Sequence, residues 1–234
     1  MEVKVNLIEL ISKKSSPDFE PGITTFLNPY SYLVASKSLD IYQQFDRIYC
    51  DGILLVKFLR LVGLKVERRS FDMTSLAPLV FEQAIARKLS ICLVGGEAGV
   101  AEKAKGQFIK TYPDLNICSA YSGFFSSEEH RSSLITNICS DSPDIVIVGM
   151  GAGIQERFIL DLVTSGWSGY GFTCGGFFHQ TVKRGVRYYP EILNRYNLRW
   201  IYRIYDEPAL FRRYVLDYPK FVLRFLNDAL RFLK

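Results

Sequence analysis

Asp51 is the residue in this chain best placed for proton chemistry. It follows the apolar, β-rich run FDRIYC (45–50) and, with Gly52, opens a helix-like segment. On a parallel α/β sheet, substrates bind at the carboxyl ends of the strands. A carboxylate there could take a proton from an acceptor hydroxyl. The commoner role of Asp at such a boundary is to cap the helix, and both readings stay open at this point.

Two glycine turns could cradle a diphosphate. LVGGEAGVAEKA (93–104) runs from a strand pattern through Gly95, Gly96 and Gly99 into a helix pattern, and VGMGAGIQE (148–156) repeats the arrangement with Gly149, Gly151 and Gly153. Glycine lets the backbone approach a phosphate, and the helix N-terminus that follows offers N–H groups and a positive dipole end. Neither turn is a G-x-G-x-x-G or a P-loop, and a plain tight turn explains either one taken singly. Just beyond the second turn, Gln155 could hydrogen-bond a sugar or base; otherwise it is a solvated residue of a first helical turn. Asn28, followed by Pro29, could contact substrate or simply start a turn. The chain has no D-x-D pair to hold a divalent cation against a diphosphate. Nucleotide-diphosphate chemistry here would be metal-independent, with no cofactor, and would rely on Arg, Lys and backbone N–H groups. Five scattered cysteines and two histidines suggest neither a disulfide frame nor a zinc centre.

The elements that must position these residues are short apolar runs alternating with helix-like stretches. The runs are FDRIYC, LSICLVGG (89–96), LNICSAYSG (115–123), DIVIVGMG (144–151) and GYGFTCGG (169–176). Between them lie GILLVKFLRLVG (52–63), LAPLVFEQAIARK (76–88) and AGVAEKAKGQFIKTY (98–112). Strands apolar on both faces, separated by helices, predict an α/β fold: a mostly parallel, Rossmann-like sheet with helices on both faces. DIVIVG and SICLVG are expected as interior strands.

Charge divides the chain. Residues 182–234 hold 12 of the 29 Lys/Arg and 5 of the 24 Asp/Glu, so this part is +7 and the first 181 residues are −2. We therefore expect an α/β catalytic domain over 1–181 and a basic, aromatic, helical appendage over 182–234. The last run, PKFVLRFLNDALRFLK (219–234), is amphipathic: Phe221, Val222, Phe225, Leu226, Ala229 and Leu233 share one face and basic residues the other. A basic amphipathic helix suits an anionic membrane surface, although a terminal helix packed on its own domain is the commoner case. No apolar run reaches the ~18–20 residues of a spanning helix, and the N-terminus lacks a signal-peptide pattern. The expected place is the cytoplasm, peripheral on the inner face of the cell membrane.

Taken together, these segments resemble the WecG/TagA/CpsF glycosyltransferases over nearly the whole chain. The matching elements are Asn28–Pro29, Asp51–Gly52, GGEAGVAEKA, SGFF (122–125), PDIVIVGMGAGIQE (143–156) and NLRWIYRIYDEP (197–208). The resemblance implies inverting transfer of a sugar from a UDP-sugar to a polyprenyl-diphosphate-linked sugar in surface-polysaccharide synthesis. It implies a catalytic base at Asp51, substrate contacts at Asn28, Gln155 and Arg69, and arginines Arg203 and Arg213 meeting the lipid diphosphate, with Arg224 further along the same basic tail. This chain departs from the family at several points. Phe26 stands where the family has Thr, with Thr25 adjacent, and Gly153–Ile154 replaces Pro-Lys. The segment RRSFDMTSL (68–76) is shortened, so Arg68 can substitute for Arg69. Leu210 occupies an arginine position that Arg212 could serve.

The expected partners are thus a UDP-sugar, a lipid-diphosphate sugar and an anionic membrane. No nucleic acid is expected, and a homo-oligomer remains open. Two rival readings are a nucleotide-cofactor oxidoreductase, which wants a true G-x-G-x-x-G, and a non-catalytic membrane-binding module, for which the tail suffices.

Overall fold

The computed structural model describes residues 6–15, 19–186, 188 and 198–234. The first five residues of the N-terminal pattern and residues 187 and 189–197 of the basic segment lie outside this description. Within the described residues, the strands are β1 (Gly22–Leu27), β2 (Arg47–Cys50), β3 (Ile91–Gly95), β4 (Ile117–Tyr121), β5 (Ile145–Gly149) and β6 (Tyr170–Thr173). They form one sheet in the order β2-β1-β6-β5-β3-β4 with every pairing parallel. All carboxyl ends therefore meet along one edge. The two strands expected inside, β3 and β5, are interior neighbours.

Alternation builds the layers. Cys92, Val94, Val146 and Val148 join one core cluster, while Ile91, Leu93, Ile145 and Ile147 join the other. Successive side chains leave a strand on opposite faces, so a strand covered on both sides must be apolar at every position. Helices α5 (Leu76–Arg87), α6 (Val100–Thr111) and α9 (Phe177–Arg184) cover the second cluster. The first is covered by α1 (Leu7–Lys14), α2 (Pro29–Ala35), α3 (Leu39–Tyr42), α4 (Ile53–Leu61), α7 (Glu128–Asp141) and α8 (Ile154–Thr164). The N-terminal helix α1 and strand β1 were not among the elements anticipated from sequence.

After α9, the described chain is helical: α10 (Arg199–Asp206), a 3₁₀ turn (Pro208–Leu210), a π-helical turn (Arg213–Asp217) and α11 (Tyr218–Phe232). The change of composition at residue 182 falls inside α9. Helix α11 packs on α1 and α2, and Phe221, Phe225 and Ala229 belong to the first core cluster. The single apolar face anticipated for this helix is in fact two. Phe221, Phe225 and Ala229 turn inward, whereas Leu226 and Leu233 join Leu223 and Leu230 in an exposed row. A buried polar lock holds the inner side. Asp228 Oδ2 accepts from Tyr32 Oη at 2.9 Å and from Arg224 Nε at 3.0 Å, and the Asp228 carbonyl accepts from Asn6 Nδ2 at 2.7 Å. Among the described residues, no helix is long and apolar enough to cross a membrane.

Candidate active site

Asp51 stands one residue past β2, at the carboxyl edge of the sheet. Helix α4 begins at Ile53 with Gly52 as its N-cap and no side-chain cap bond, so the Asp51 carboxylate is not spent as a helix cap. Its backbone N–H donates to Leu27 O at 2.7 Å, which fixes the turn to the end of β1. A Cβ on Gly52 would come within 3.2 Å of Pro29 Cδ and 3.4 Å of Asn28 Cβ. The Asp51 and Asn28 turns are thus packed closely, and a side chain at position 52 would have to push the Asn28–Pro29 turn back by a few tenths of an ångström.

Asn28 caps α2. Its Oδ1 accepts from the N–H groups of Tyr30 and Ser31, both at 3.0 Å, and Ser31 Oγ accepts from the Asn28 N–H at 2.7 Å. Pro29 sits at the first helical position, where its missing N–H costs nothing. The turn reading of Asn28 is therefore met in full, and the cap leaves Nδ2 uninvolved.

Arg68 and Arg69 diverge. Arg68 forms a parallel bridge with Cys50. Its Nη2 lies 3.9 Å from Asp51 Oδ1 and 3.9 Å from Asp72 Oδ2, and donates to Ser70 Oγ at 3.2 Å. Arg69 points the other way, its guanidinium 5.5 Å from the Tyr49 ring centroid and 3.6 Å from Glu67. Of the pair, Arg68 is the one that faces Asp51.

Helix α10 closes the site from the other side. Arg199 Nη1 lies 3.1 Å from Asp72 Oδ2, and Arg203, one turn on, shares that face. Arg203 pairs with Glu207 at 3.3 Å and approaches Gly176 at the start of α9. Beyond it, the Tyr214 and Tyr218 rings meet at a tilt of 53° with centroids 4.5 Å apart, and Trp200 lies 5.9 Å from Tyr214. Arg213 covers the Tyr30 ring at 4.5 Å and so reaches the Asn28 turn. Arg224 is tied to Asp228 on the inner side of α11, and Arg212 is exposed.

The electrostatics favour a proton acceptor. The Asp51 side chain is 40% exposed but walled by protein on its other sides. Burial in the cleft lifts its carboxyl above the ordinary value. Arg68 opposes that rise, Asp72 adds to it, and Arg199 and Arg203 oppose it. A carboxylate moved toward neutrality is a stronger base than a free one. Tyr214 and Tyr218 are also pushed up, chiefly by burial, with the Asp51 charge contributing to both.

Thr25 and Gln155 sit in a buried network behind this cleft. Thr25 Oγ1 donates to Glu156 Oε1 at 2.8 Å and accepts from Thr173 Oγ1 at 3.0 Å. Gln155 is not a solvated first-turn residue but is 4% exposed. Its Nε2 donates to Glu156 at 3.1 Å and its Oε1 accepts from Gly175 N at 3.1 Å. Glu156 is fully buried, and burial raises its carboxyl above the ordinary value even though these donors oppose it. It also accepts from Gly153 N at 2.5 Å, which fixes the second glycine turn.

The glycine turns are close-packing devices as much as cradles. A Cβ on Gly95 would lie 2.4 Å from Gly149 O, and one on Gly149 would lie 2.9 Å from Gly175 O. The N–H of Gly96 is spent on Gly149 O at 3.1 Å. Gly99 and Gly151 face open space, with φ of +83° and +84°. Among the described residues, no group of three His, Cys, Asp or Glu is arranged to hold a metal ion.

Sequence reasoning missed Asp72, Arg199, Glu156, Tyr214 and Tyr218. Two signals were present: Asp72 stands four residues after Arg68, and Arg199 four before Arg203.

A parallel sheet carrying a carboxylate-and-arginine cleft at its carboxyl edge defines an α/β enzyme of the Rossmann-like kind. The glycosyl transferase WecG/TagA/CpsF family profile matches residues 3–234, and the chain belongs to that family. It is a glycosyltransferase. It is 42% identical over 210 residues to the UDP-Gal:alpha-D-GlcNAc-diphosphoundecaprenol beta-1,4-galactosyltransferase of Shigella boydii, covering 89% of this chain and 87% of that protein. It is also 25% identical over 216 residues to the N-acetylglucosaminyldiphosphoundecaprenol N-acetyl-beta-D-mannosaminyltransferase of Bacillus subtilis (strain 168), covering 88% and 80%. Membership of this family displaces both rival readings.

Proposed function

We propose that this enzyme transfers galactose from UDP-galactose to the N-acetylglucosamine of a polyprenyl-diphosphate acceptor, with inversion at the anomeric carbon. The observation that carries the reading is the 42% identity, over nearly the full length of both chains, to a relative whose name states that donor and that acceptor. Asp51 is the general base. Its carboxylate takes the proton of the acceptor hydroxyl as that oxygen bonds to the anomeric carbon, and the bond from that carbon to UDP breaks, releasing UDP as the leaving group. The raised carboxyl of Asp51 and its place at the strand end support this role. Asn28 and Arg68 face the reacting sugars. Thr25 and Gln155 hold the floor of the site through Glu156. Arg203 and Arg213 meet the acceptor diphosphate, where a fixed guanidinium makes charge-assisted bonds. Transfer proceeds without a divalent cation, so EDTA leaves the rate unchanged.

The enzyme works at the inner face of the membrane. Leu223, Leu226, Leu230 and Leu233 form one exposed stripe on α11, bordered by Lys220, Asn227, Arg231 and Lys234. That is the pattern of a helix lying in the headgroup region. A UDP-release assay over a panel of UDP-sugars, with a short-chain lipid-diphosphate N-acetylglucosamine as acceptor, tests the reading. Release that depends on acceptor and is fastest with UDP-galactose supports it. Release with another donor only corrects the sugar, and no release with any donor overturns it.

A further inference from the structure

Asp51 and three charged neighbours, Arg68, Asp72 and Arg199, alternate in sign along a chain of contacts. Asp51 faces Arg68 at 3.9 Å, Arg68 faces Asp72 at 3.9 Å, and Asp72 faces Arg199 at 3.1 Å. The last link joins residues 127 positions apart and ties α10 to the loop before α5. Asp72 is the hub. Its Oδ2 also accepts from Ser70 Oγ at 2.7 Å, and its Oδ1 accepts from Thr74 N at 2.8 Å and from the Thr74 hydroxyl. Thr74 Oγ1 in turn accepts from Arg199. The side chains of Asp72 and Arg199 are only 14% and 10% exposed, so their charges are weakly screened.

We propose that Asp72 is a positioning residue for the catalytic base: by holding Arg68 and Arg199 together, it couples the docking of α10 to the charge that faces Asp51. This rests on the reading of Asp51 as the base. A plain strut between α10 and the sheet would not need ions, since buried ion pairs are often no more stabilising than apolar packing of the same shape. The alternating chain does what apolar packing does not. It balances Asp51 and Asp72 against Arg68 and Arg199, and losing either end of the last link unbalances the site in opposite directions. The other groups that bear on Asp51 are Arg203 on α10, Tyr214 on the π turn, Tyr218 on α11, and Cys50 in β2, whose thiol burial pushes up to about 12. None of them is altered in the variants below.

The test is the pH dependence of kcat/KM for wild type, Asp72→Asn, Arg199→Gln, Arg199→Lys and the double variant Asp72→Asn/Arg199→Gln. Removing the Asp72 charge leaves surplus positive charge near Asp51, so the acid limb moves to lower pH. Removing the Arg199 charge leaves surplus negative charge, so the limb moves to higher pH. The double variant returns the limb to its wild-type position, and Arg199→Lys does not move it. A strut that only fastens α10 would lower the rate in both single variants without separating their limbs, and that result overturns the proposal. If Arg199→Gln does not fold, the shift to lower pH in Asp72→Asn against the unmoved limb of Arg199→Lys still decides, and an unshifted Asp72→Asn overturns the proposal. Asp51→Asn separates the two levels. Wild-type turnover in that variant means the base reading has failed, whereas an inactive Asp51→Asn with unshifted limbs elsewhere means only this inference has.

Discussion

Tyr32 and Asp228 meet across the seam between α2 and α11, phenol to carboxylate at 2.9 Å, although 196 residues separate them in the chain. Both are buried. Helix α2 begins at the Asn28 cap, so this bond ties α11 to an element that shapes the candidate cleft. Asp228→Ala leaves the Tyr32 hydroxyl without its partner and is expected to cost about 1–3 kcal/mol of stability. Tyr32→Phe removes the hydroxyl, leaves Asp228 with Arg224, and costs less. Urea unfolding of the two variants gives the order.

Asp51→Asn is expected to leave UDP-sugar affinity nearly intact and to lower turnover by about 10²–10⁴-fold, the span of a lost acid–base group. Calorimetry with UDP and a UDP-release assay on the same preparation measure the two separately. Turnover at the wild-type level would reduce Asp51 to a wall of the cleft.

The exposed leucine row is expected to carry membrane binding. Leu223→Ser, Leu226→Ser and Leu230→Ser, combined, should release the protein from anionic vesicles in co-sedimentation while its unfolding midpoint stays near wild type, because these side chains lie outside the core. Wild-type binding should weaken as salt rises, since surface charges are screened over about 10 Å at 0.1 M. Deleting 219–234 is the poorer experiment, because it also removes Phe221 and Phe225 from the core.

Asp206 should give the fold an acid-sensitive step. Its burial would raise the carboxyl, but hydrogen bonds from Tyr188, Lys183 and Arg184 outweigh that and hold it down at about 2. A carboxylate depressed in the folded state adds stability above its unfolded pKa of about 3.9 and loses it as pH falls through the folded value. Stability should therefore drop between about pH 4 and pH 2, and Asp206→Asn should flatten that part of the curve. Thermal unfolding across this range reads it directly.

The strands that sequence made plain are those apolar on both faces, as in β3 and β5. Strand β1 escaped notice because Thr24 and Thr25 interrupt its pattern, yet both are fully buried. Thr24 Oγ1 accepts from Arg47 at 3.2 Å, and Thr25 bonds Glu156. Such partners come from distant segments and leave no local trace. The place of Asp51 at a strand end was legible because a carboxylate after an apolar run is a local signal. The choice between Arg68 and Arg69 was not, since it depends on which way an extended segment turns successive side chains as it pairs with Cys50. The outer leucines of α11 were merged with its inner phenylalanines because a helical wheel shows periodicity but not which neighbour covers which arc.

The seating of Phe221 and Phe225 in the core bears on how the chain is made. Helices α1 and α2 leave the ribosome about 200 residues before α11 does, and until then the part of their surface that receives Phe221 and Phe225 is uncovered. Closing that contact late gives the fold a long-range step, the kind that slows folding and exposes an intermediate to aggregation. The same helix presents its leucine row outward, so the event that completes the core also puts the outer row in place. Under the membrane role proposed for that row, completion of the core and assembly of the membrane-facing stripe are a single act of folding.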